Sequence, residues 1–256
     1  ESRLSIVDVT IPAKELSNVI LPKLIELRIK SFIDVVNNQK NLISNGVEIS
    51  NTLLLYGKPG CGKTTIVKYI SEKTGLPLIT ARFDAIVSSL LGSTAKNIRK
   101  IFDYADNKPC ILFLDEFDAI AKARDDQHEL GELKRVINSL LQNIDTFAKH
   151  NILITATNHP ELLDKAIWRR FNSVIEIGLP VDSEITELIS SFIDEFHTDF
   201  LYDEKKIEKL VKLFDGKTPS DIKTIINNSK ARTIINNEST LTFENLLIEL
   251  FEFNNH

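Results

Sequence analysis

Five short apolar runs recur along the first two-thirds of the chain, at 51–56, 76–80, 110–115, 151–156 and 173–177. Runs of this length that stay apolar without alternating suit strands buried on both faces of a sheet. Between them the period lengthens. Ile98, Ile101, Phe102 and Ala105 fall on one helical face, as do Leu130, Leu133, Ile137, Leu140, Leu141 and Ile144. Alternating strand and helix patterns predict an α/β fold, a parallel five-stranded sheet with flanking crossover helices. After Gly178-Leu179-Pro180 the strand pattern stops. From 183 to 253 only helical spacing remains: Ile185, Leu188, Ile189, Phe192, Ile193 and Phe196, then Ile207, Leu210, Val211 and Phe214, then segments at Ile222 and Leu246. The chain is therefore expected to divide near Pro180, with 1–180 a large α/β subdomain and 181–256 a small all-helical lid. A bound ligand is expected in the cleft between them.

Composition narrows the setting. With 31 basic against 36 acidic residues and a net charge of −5, bulk charge gives no support to a nucleic-acid partner. No apolar run approaches the length of a membrane span. Two cysteines, one in a glycine-rich loop and one in a strand, make neither a disulfide framework nor a zinc site, so a cytoplasmic setting is expected. The five histidines are scattered without metal-ligand spacing. The chain starts at Glu1 and contains no methionine, which reads as a trimmed segment of a longer protein with its upstream region missing.

The chemistry begins directly after the first strand. Gly57-Lys58-Pro59-Gly60-Cys61-Gly62-Lys63-Thr64 is a G-x-x-x-x-G-K-[ST] phosphate loop opening a helical pattern. Its glycines let successive N–H groups turn inward, and the helix that follows presents its positive end to an anion. Lys63 supplies a point charge between the β- and γ-phosphates, and Thr64 a hydroxyl for Mg²⁺. Gly57, Pro59, Gly60, Cys61, Gly62, Lys63, Thr64 and Thr65 are the candidate phosphate-binding residues.

Such a loop needs a carboxylate at the end of a neighbouring buried strand. Cys110-Ile111-Leu112-Phe113-Leu114-Asp115-Glu116 ends in two. Because side chains alternate along a strand, the two carboxylates face different ways. Asp115 is assigned with Thr64 to the Mg²⁺ shell, Asp115 acting through water, and Glu116 to polarising the water that attacks the γ-phosphate. An acidic strand end capping the next helix is the plainer alternative. The strand at 151–156 likewise stops at Thr157-Asn158-His159-Pro160, where Asn158 is a candidate to orient that water or touch the γ-phosphate. Further on, Trp168-Arg169-Arg170-Phe171 closes a short helical stretch before the last strand.

Phosphate loop, Asp-Glu strand end, Thr-Asn-x-Pro strand end and Arg-Arg-Phe, in this order, resemble the AAA branch of the AAA+ ATPases, the katanin, spastin and FtsH-like modules, over about residues 15 to 253. The resemblance implies a P-loop NTPase fold with Walker A at Gly57 to Thr64, Walker B at Leu112 to Glu116 and sensor 1 at Asn158. It implies arginine fingers at Arg169 and Arg170 that act on a neighbour's γ-phosphate, and hence a homo-oligomeric ring, usually a hexamer. ATP as the nucleotide rests on the resemblance too, since no base-reading motif separates it from GTP.

The chain also departs from the family pattern. Phe83 to Ser93 matches the first pore loop, but Leu90 stands where an aromatic is common, so threading would rely on aliphatic Leu90 and Leu91; both residues also suit the end of an amphipathic helix. Ala123 to Arg135 corresponds to the second pore loop, with Glu132 and Arg135 as boundary residues. His159 occupies a frequent arginine position. Thr218-Pro219-Ser220-Asp221 stands at sensor 2 without an arginine, and equally reads as a helix cap with Thr218 at the N-cap and Pro219 at N1. The expected function is an ATP-hydrolysing ring that remodels, unfolds or delivers protein substrates. The alternatives are a nucleotide-gated regulator of a separate effector such as a protease, and a nucleic-acid-loading ATPase of clamp-loader or initiator type.

Overall fold

The computed structural model describes residues 7–12, 19–49, 51–83, 94–119, 130–147 and 151–255. They fall into two units, the first formed by 1–19, 24–57 and 63–177, the second by 20–23, 58–62 and 178–256. The segment around Leu90 and Leu91, the loop from Ala123, and the side chains of Glu132 and Arg135 lie outside the described residues.

The first unit holds a sheet of six strands: β1 Val7–Thr10, β2 Thr52–Tyr56, β3 Leu78–Arg82, β4 Ile111–Asp115, β5 Ile152–Thr157 and β6 Ser173–Glu176. Their order is β1-β3-β4-β5-β2-β6. The five strands expected from the apolar runs pair in parallel, and β1 adds an antiparallel edge on β3. Being four residues long and mostly exposed, β1 leaves little apolar pattern to read. It also explains why β3 lies two residues beyond the run at 76–80. Pro77 has no N–H for a ladder, its carbonyl accepts from the Ile111 N–H at 2.9 Å, and pairing of Val7 with Ala81 carries the strand on towards Arg82.

Helices α1 Lys23–Asn37, α2 Gln39–Ser44, α3 Lys63–Thr74, α4 Thr94–Asp106, α5 Leu130–Phe147 and the short α6 Lys165–Trp168 accompany the sheet. Leu53 to Leu55, Ile111 to Leu114 and Ile152 to Ala156 are buried throughout, as continuous apolar strands require. Ile98, Ile101, Phe102 and Ala105 of α4 and Leu140 and Ile144 of α5 close one face, with Phe102 edge-on to Phe147 at 5.5 Å. Burying each of the Ile, Leu and Phe side chains contributes about 1.5–3 kcal/mol. The register sets Tyr56 beside Thr157 and Arg82 beside Asp115, so the carboxyl ends of four strands meet along one rim, where open α/β sheets carry their sites.

The second unit is built from α7 Asp182–Ile193, α8 Glu204–Phe214, α9 Pro219–Ile235 and α10 Phe243–Asn254, around Ile185, Ile189, Ile193, Leu210, Phe214, Ile222, Ile225 and Leu246. Its helices start where capping chemistry dictates. The Thr218 hydroxyl accepts from the Asp221 N–H at 3.2 Å while Asp221 accepts from the Thr218 N–H at 2.9 Å, with Pro219 at the first helical position. Asp203 and Thr242 cap α8 and α10. Asp199 links these helix starts, accepting from the Phe243 N–H and from Lys206. Partial burial opposes its ionisation, yet those bonds hold its carboxyl below the usual range. Among the described residues no helix is long and apolar enough to cross a membrane.

Cys110, buried just before β4, carries a thiol pushed up to about 12 by burial, reinforced by Asp106. A raised thiol favours the protonated folded state, so its stabilisation is present below the unfolded thiol's pKa and is lost as pH climbs towards about 12. At pH 8 the Cys110 peptide is expected to resist iodoacetamide in the native protein and to label readily in urea, as peptide mapping by mass spectrometry would reveal. Equal labelling rates in the two states would contradict the assignment.

Candidate functional site

At the end of β2 the chain turns through Gly57 with φ of +147°. Its N–H donates to the Thr157 carbonyl at 3.3 Å, and the neighbouring Tyr56 carbonyl accepts from the Ile177 N–H at 2.7 Å. A Cβ on Gly57 would lie 2.1 Å from the Ile177 carbonyl oxygen, so only glycine fits between the strands. After Gly62 (φ +95°) the backbone enters α3 at Lys63. The Lys63 side chain reaches back and Nζ donates to the Gly57 carbonyl at 2.7 Å and to Asn158 Oδ1 at 2.6 Å. Lys63 is 8% exposed, and burying an ammonium is costly unless its protons are taken up. These two oxygens set the direction in which the ammonium points.

Next in α3, the Thr64 hydroxyl donates to Asp115 Oδ2 at 3.4 Å. The other carboxylate oxygen, Oδ1, accepts from the Glu116 N–H at 2.9 Å. Glu116 takes a left-handed backbone, φ +54°, and its carboxylate stands 3.6 Å from Arg82. The two acids therefore diverge, but because β4 ends at Asp115 and Glu116 turns left-handed, not because of alternation along a strand. The Arg82 pair is half-exposed and contributes no more than about 1 kcal/mol, so its effect is on where Glu116 points. Thr64 and Asp115 offer the hard oxygen donors that Mg²⁺ takes, and two side chains suffice for an ion that fills its shell with water and phosphate oxygens.

The stretch after β5 is closely tied. Thr157 Oγ1 accepts from the His159 N–H at 3.0 Å and donates to Asp118 Oδ1 at 2.9 Å. His159 is exposed and engages Glu161 at 3.0 Å. That carboxyl is held below its ordinary range by its own backbone N–H and by His159.

The two arginines are not equivalent. Asp164 caps α6 by accepting from the Ile167 N–H at 2.9 Å, and Trp168 packs edge-on against Tyr56 at 5.7 Å. Burial and the adjacent Glu176 raise the Tyr56 phenol above its usual range. Arg170 is held within its own chain, Nε on Asp145 at 3.3 Å and Nη1 on the Ala166 carbonyl at 2.8 Å. Arg169 follows α6 with its side chain exposed. Phe171 is buried, edge-on to Phe117 at 6.2 Å, and Phe117 meets Phe83 at 5.3 Å.

Within the second unit, the loop segment Lys58–Gly62 contacts the start of α9. The Gly60 carbonyl accepts from the Ser220 N–H at 3.2 Å, and a Cβ on Gly60 would lie 2.7 Å from Thr218 Oγ1. The Thr218–Asp221 segment is thus both the cap of α9 and a hydrogen-bond partner of Gly60. Cys61 is buried, whereas Pro59 and Thr65 are exposed.

Gly57, Lys63, Thr64, Asp115 and Asn158 are brought together by direct hydrogen bonds, with Glu116 adjoining. Arg82, Asp118 and Thr157 were missed by sequence reasoning. Thr157 had a signal, a polar residue closing a wholly buried strand, and Arg82 had only its register with Asp115.

Comparison with known proteins gives a consistent result. Residues 53–179 match the family described as "ATPase family associated with various cellular activities (AAA)". An uncharacterized AAA family ATPase, y4kL of Sinorhizobium fredii, is 48% identical over 136 residues, covering 53% of this chain and 41% of that protein. A putative 26S proteasome regulatory subunit homolog of Methanothermobacter marburgensis is 32% identical over 190 residues, covering 73% and 50%. The ATP-dependent zinc metalloprotease FtsH 2 of Alkaliphilus metalliredigens is 28% identical over 223 residues, covering 84% and 32%. The chain thus spans about half the length, or less, of these relatives. The crystal structure of the FIGL-1 AAA domain superposes with a TM-score of 0.77 at 19% identity, over 96% of this chain and 85% of that one, a likeness of fold.

Gly57→Ala is expected to lower unfolding stability by about 3 kcal/mol or more, since a backbone carbonyl must move. Gly46→Ala, with φ +79° and open space around it, should cost about 1 kcal/mol. Urea denaturation of both variants checks this, and equal midpoints would refute the close approach at Gly57.

Proposed function

Because the chain belongs to the AAA family of ATPases, we propose that it binds ATP with Mg²⁺ and hydrolyses it as a subunit of a homo-oligomeric ring, six-membered in the family's usual form. The reading places it in the cytoplasm, with a protein substrate or effector as its partner, residues 1–180 as the nucleotide-binding subdomain and 181–256 as the helical one. The observation that carries it is the convergence of Lys63, Asn158, Thr64 and Asp115 at the rim of strands β2, β4 and β5. The Gly57 carbonyl and the Asn158 amide oxygen fix the direction of Lys63, the placement that a charge-assisted bond to phosphate needs. Loop N–H groups and the start of α3 receive the phosphate oxygens. Thr64 and Asp115 hold Mg²⁺, which when bound neutralises charge on the β- and γ-phosphate oxygens.

Glu116 takes the proton of the attacking water, a role worth about 10² to 10⁴ in rate, and Asn158 orients that water. Arg82 steadies the Glu116 carboxylate from the protein side. Of the paired arginines, exposed Arg169 suits a finger that reaches a neighbour's γ-phosphate. Arg170, tied to Asp145 and Ala166, suits a residue that fixes the turn carrying it. A finger donated in trans contributes about 10³ to 10⁵ in rate.

Mixed assemblies test the reading. Glu116→Gln subunits should keep ATP affinity within about threefold of the parent and lose turnover by at least about a hundredfold. Arg169→Ala subunits should assemble and lose about a thousandfold. Mixing the two should restore hydrolysis well above their sum, because some interfaces then pair an intact base with an intact finger. Absence of any gain on mixing, with assembly verified by mass, would sink the trans arrangement.

A further inference from the structure

The segment that presents Glu116 and the segment that presents Asn158 are joined by a pair of buried hydrogen bonds that the reading above does not use. The Phe117 N–H donates to the Ala156 carbonyl at 2.9 Å. One residue further along each segment, the Thr157 hydroxyl donates to Asp118 Oδ1 at 2.9 Å. Thr157 is 1% exposed and Asp118 3%. A hydroxyl bonded to a carboxyl in so dry a place is directional and little weakened by solvent. The same Thr157 oxygen accepts from the His159 N–H at 3.0 Å, closing a turn around Asn158, which sits between them.

Across from it, Glu116 keeps a left-handed backbone that non-glycine residues adopt only when their surroundings over-determine it. Asp115 Oδ1 on the Glu116 N–H, the bond at Phe117 N–H, the Ala119 N–H on the Glu116 carbonyl at 3.0 Å, and Asp118 on Thr157 are the constraints that do so. Phe117, packed between Phe83 and Phe171, prevents the turn from swinging away.

We propose that Asp118 and Thr157 are positioning residues for hydrolysis: their hydrogen bond fixes where the Glu116 carboxylate stands relative to the Asn158 amide. Both groups are buried and act through the segments that carry Glu116 and Asn158. The inference rests on Glu116 as general base, and it adds a device that keeps the base and the water-orienting amide in register. Misplacement by about 1 Å at a reacting centre can cost a hundredfold in rate, so a small loosening here should be visible in turnover before it is visible in binding.

The test separates turnover from affinity. Thr157→Val keeps shape and removes the hydroxyl. It is expected to lower kcat for ATP about ten- to a hundredfold while the dissociation constant for ADP stays within about twofold. Thr157→Ser, which restores the hydroxyl, should recover kcat to within about threefold of the parent. Asp118→Ala serves as the second variant should Thr157→Val not fold. It should reproduce the loss, and the double variant should be no slower than either single one by more than about threefold, since both remove one interaction.

Parental kcat in Thr157→Val overturns the proposal. So does a parallel fall of kcat and ADP affinity in both variants with no recovery in Thr157→Ser. Glu116→Gln assayed alongside keeps the two layers apart: if it turns over ATP at the parental rate the general-base reading itself fails, whereas an inactive Glu116→Gln beside a fully active Thr157→Val removes the positioning role alone.

Discussion

One constraint organises this molecule: a lysine ammonium must be kept nearly dry and aimed at the mouth of a glycine turn. Lys63 satisfies it by donating to the Gly57 carbonyl and the Asn158 amide oxygen. Both acceptors exist at the right distance only because β2 and β5 are neighbours in the sheet. The strand order, with β2 between β5 and β6, is thus a requirement of the site as much as of the core. It also explains the tight passage at Gly57, where the chain leaves β2 against the backbone leaving β6. A buried ammonium is a costly way to stabilise a fold and a good way to hold an anion. That contrast links the packing to the proposed chemistry.

Much of this was legible in the chain itself. Continuous apolar runs ending in polar residues locate β2, β4 and β5 and their functional ends, because a strand buried on both faces has no other composition open to it. The phosphate loop is legible because its chemistry tolerates few residue types at fixed spacing. The reciprocal cap of Thr218 and Asp221 could be read because capping is local. What could not be read is non-local. β1 has too few buried residues to leave a pattern. The pairing of Arg82 with Glu116, the bond from Thr157 to Asp118 and the contact of Gly60 with Ser220 each join segments distant in sequence. So does the tie between Arg170 and Asp145, which helps to distinguish two adjacent arginines that look alike in sequence.

Hydrogen bonds to backbone recur around the site: Lys63 on a carbonyl, Asp115 on the Glu116 N–H, Arg170 on the Ala166 carbonyl, the Gly60 carbonyl on the Ser220 N–H. Backbone acceptors and donors do not titrate and have no rotamers to lose, so they hold geometry across pH at low entropic cost. The arrangement suits a site whose catalytic power is proposed to lie in positioning and electrostatics, the usual means of phosphoryl transfer.

The central claim is that Lys63 supplies the charge by which this rim holds a polyphosphate. Calorimetric titration of ATP with Mg²⁺ into the parent and into Lys63→Ala tests it most directly, with a denaturation curve confirming that the variant is folded. Loss of charge-assisted bonds to phosphate, each worth about 1.5–3 kcal/mol, predicts affinity weaker by about a hundredfold or more. Binding within about twofold of the parent in a folded Lys63→Ala protein would contradict the account.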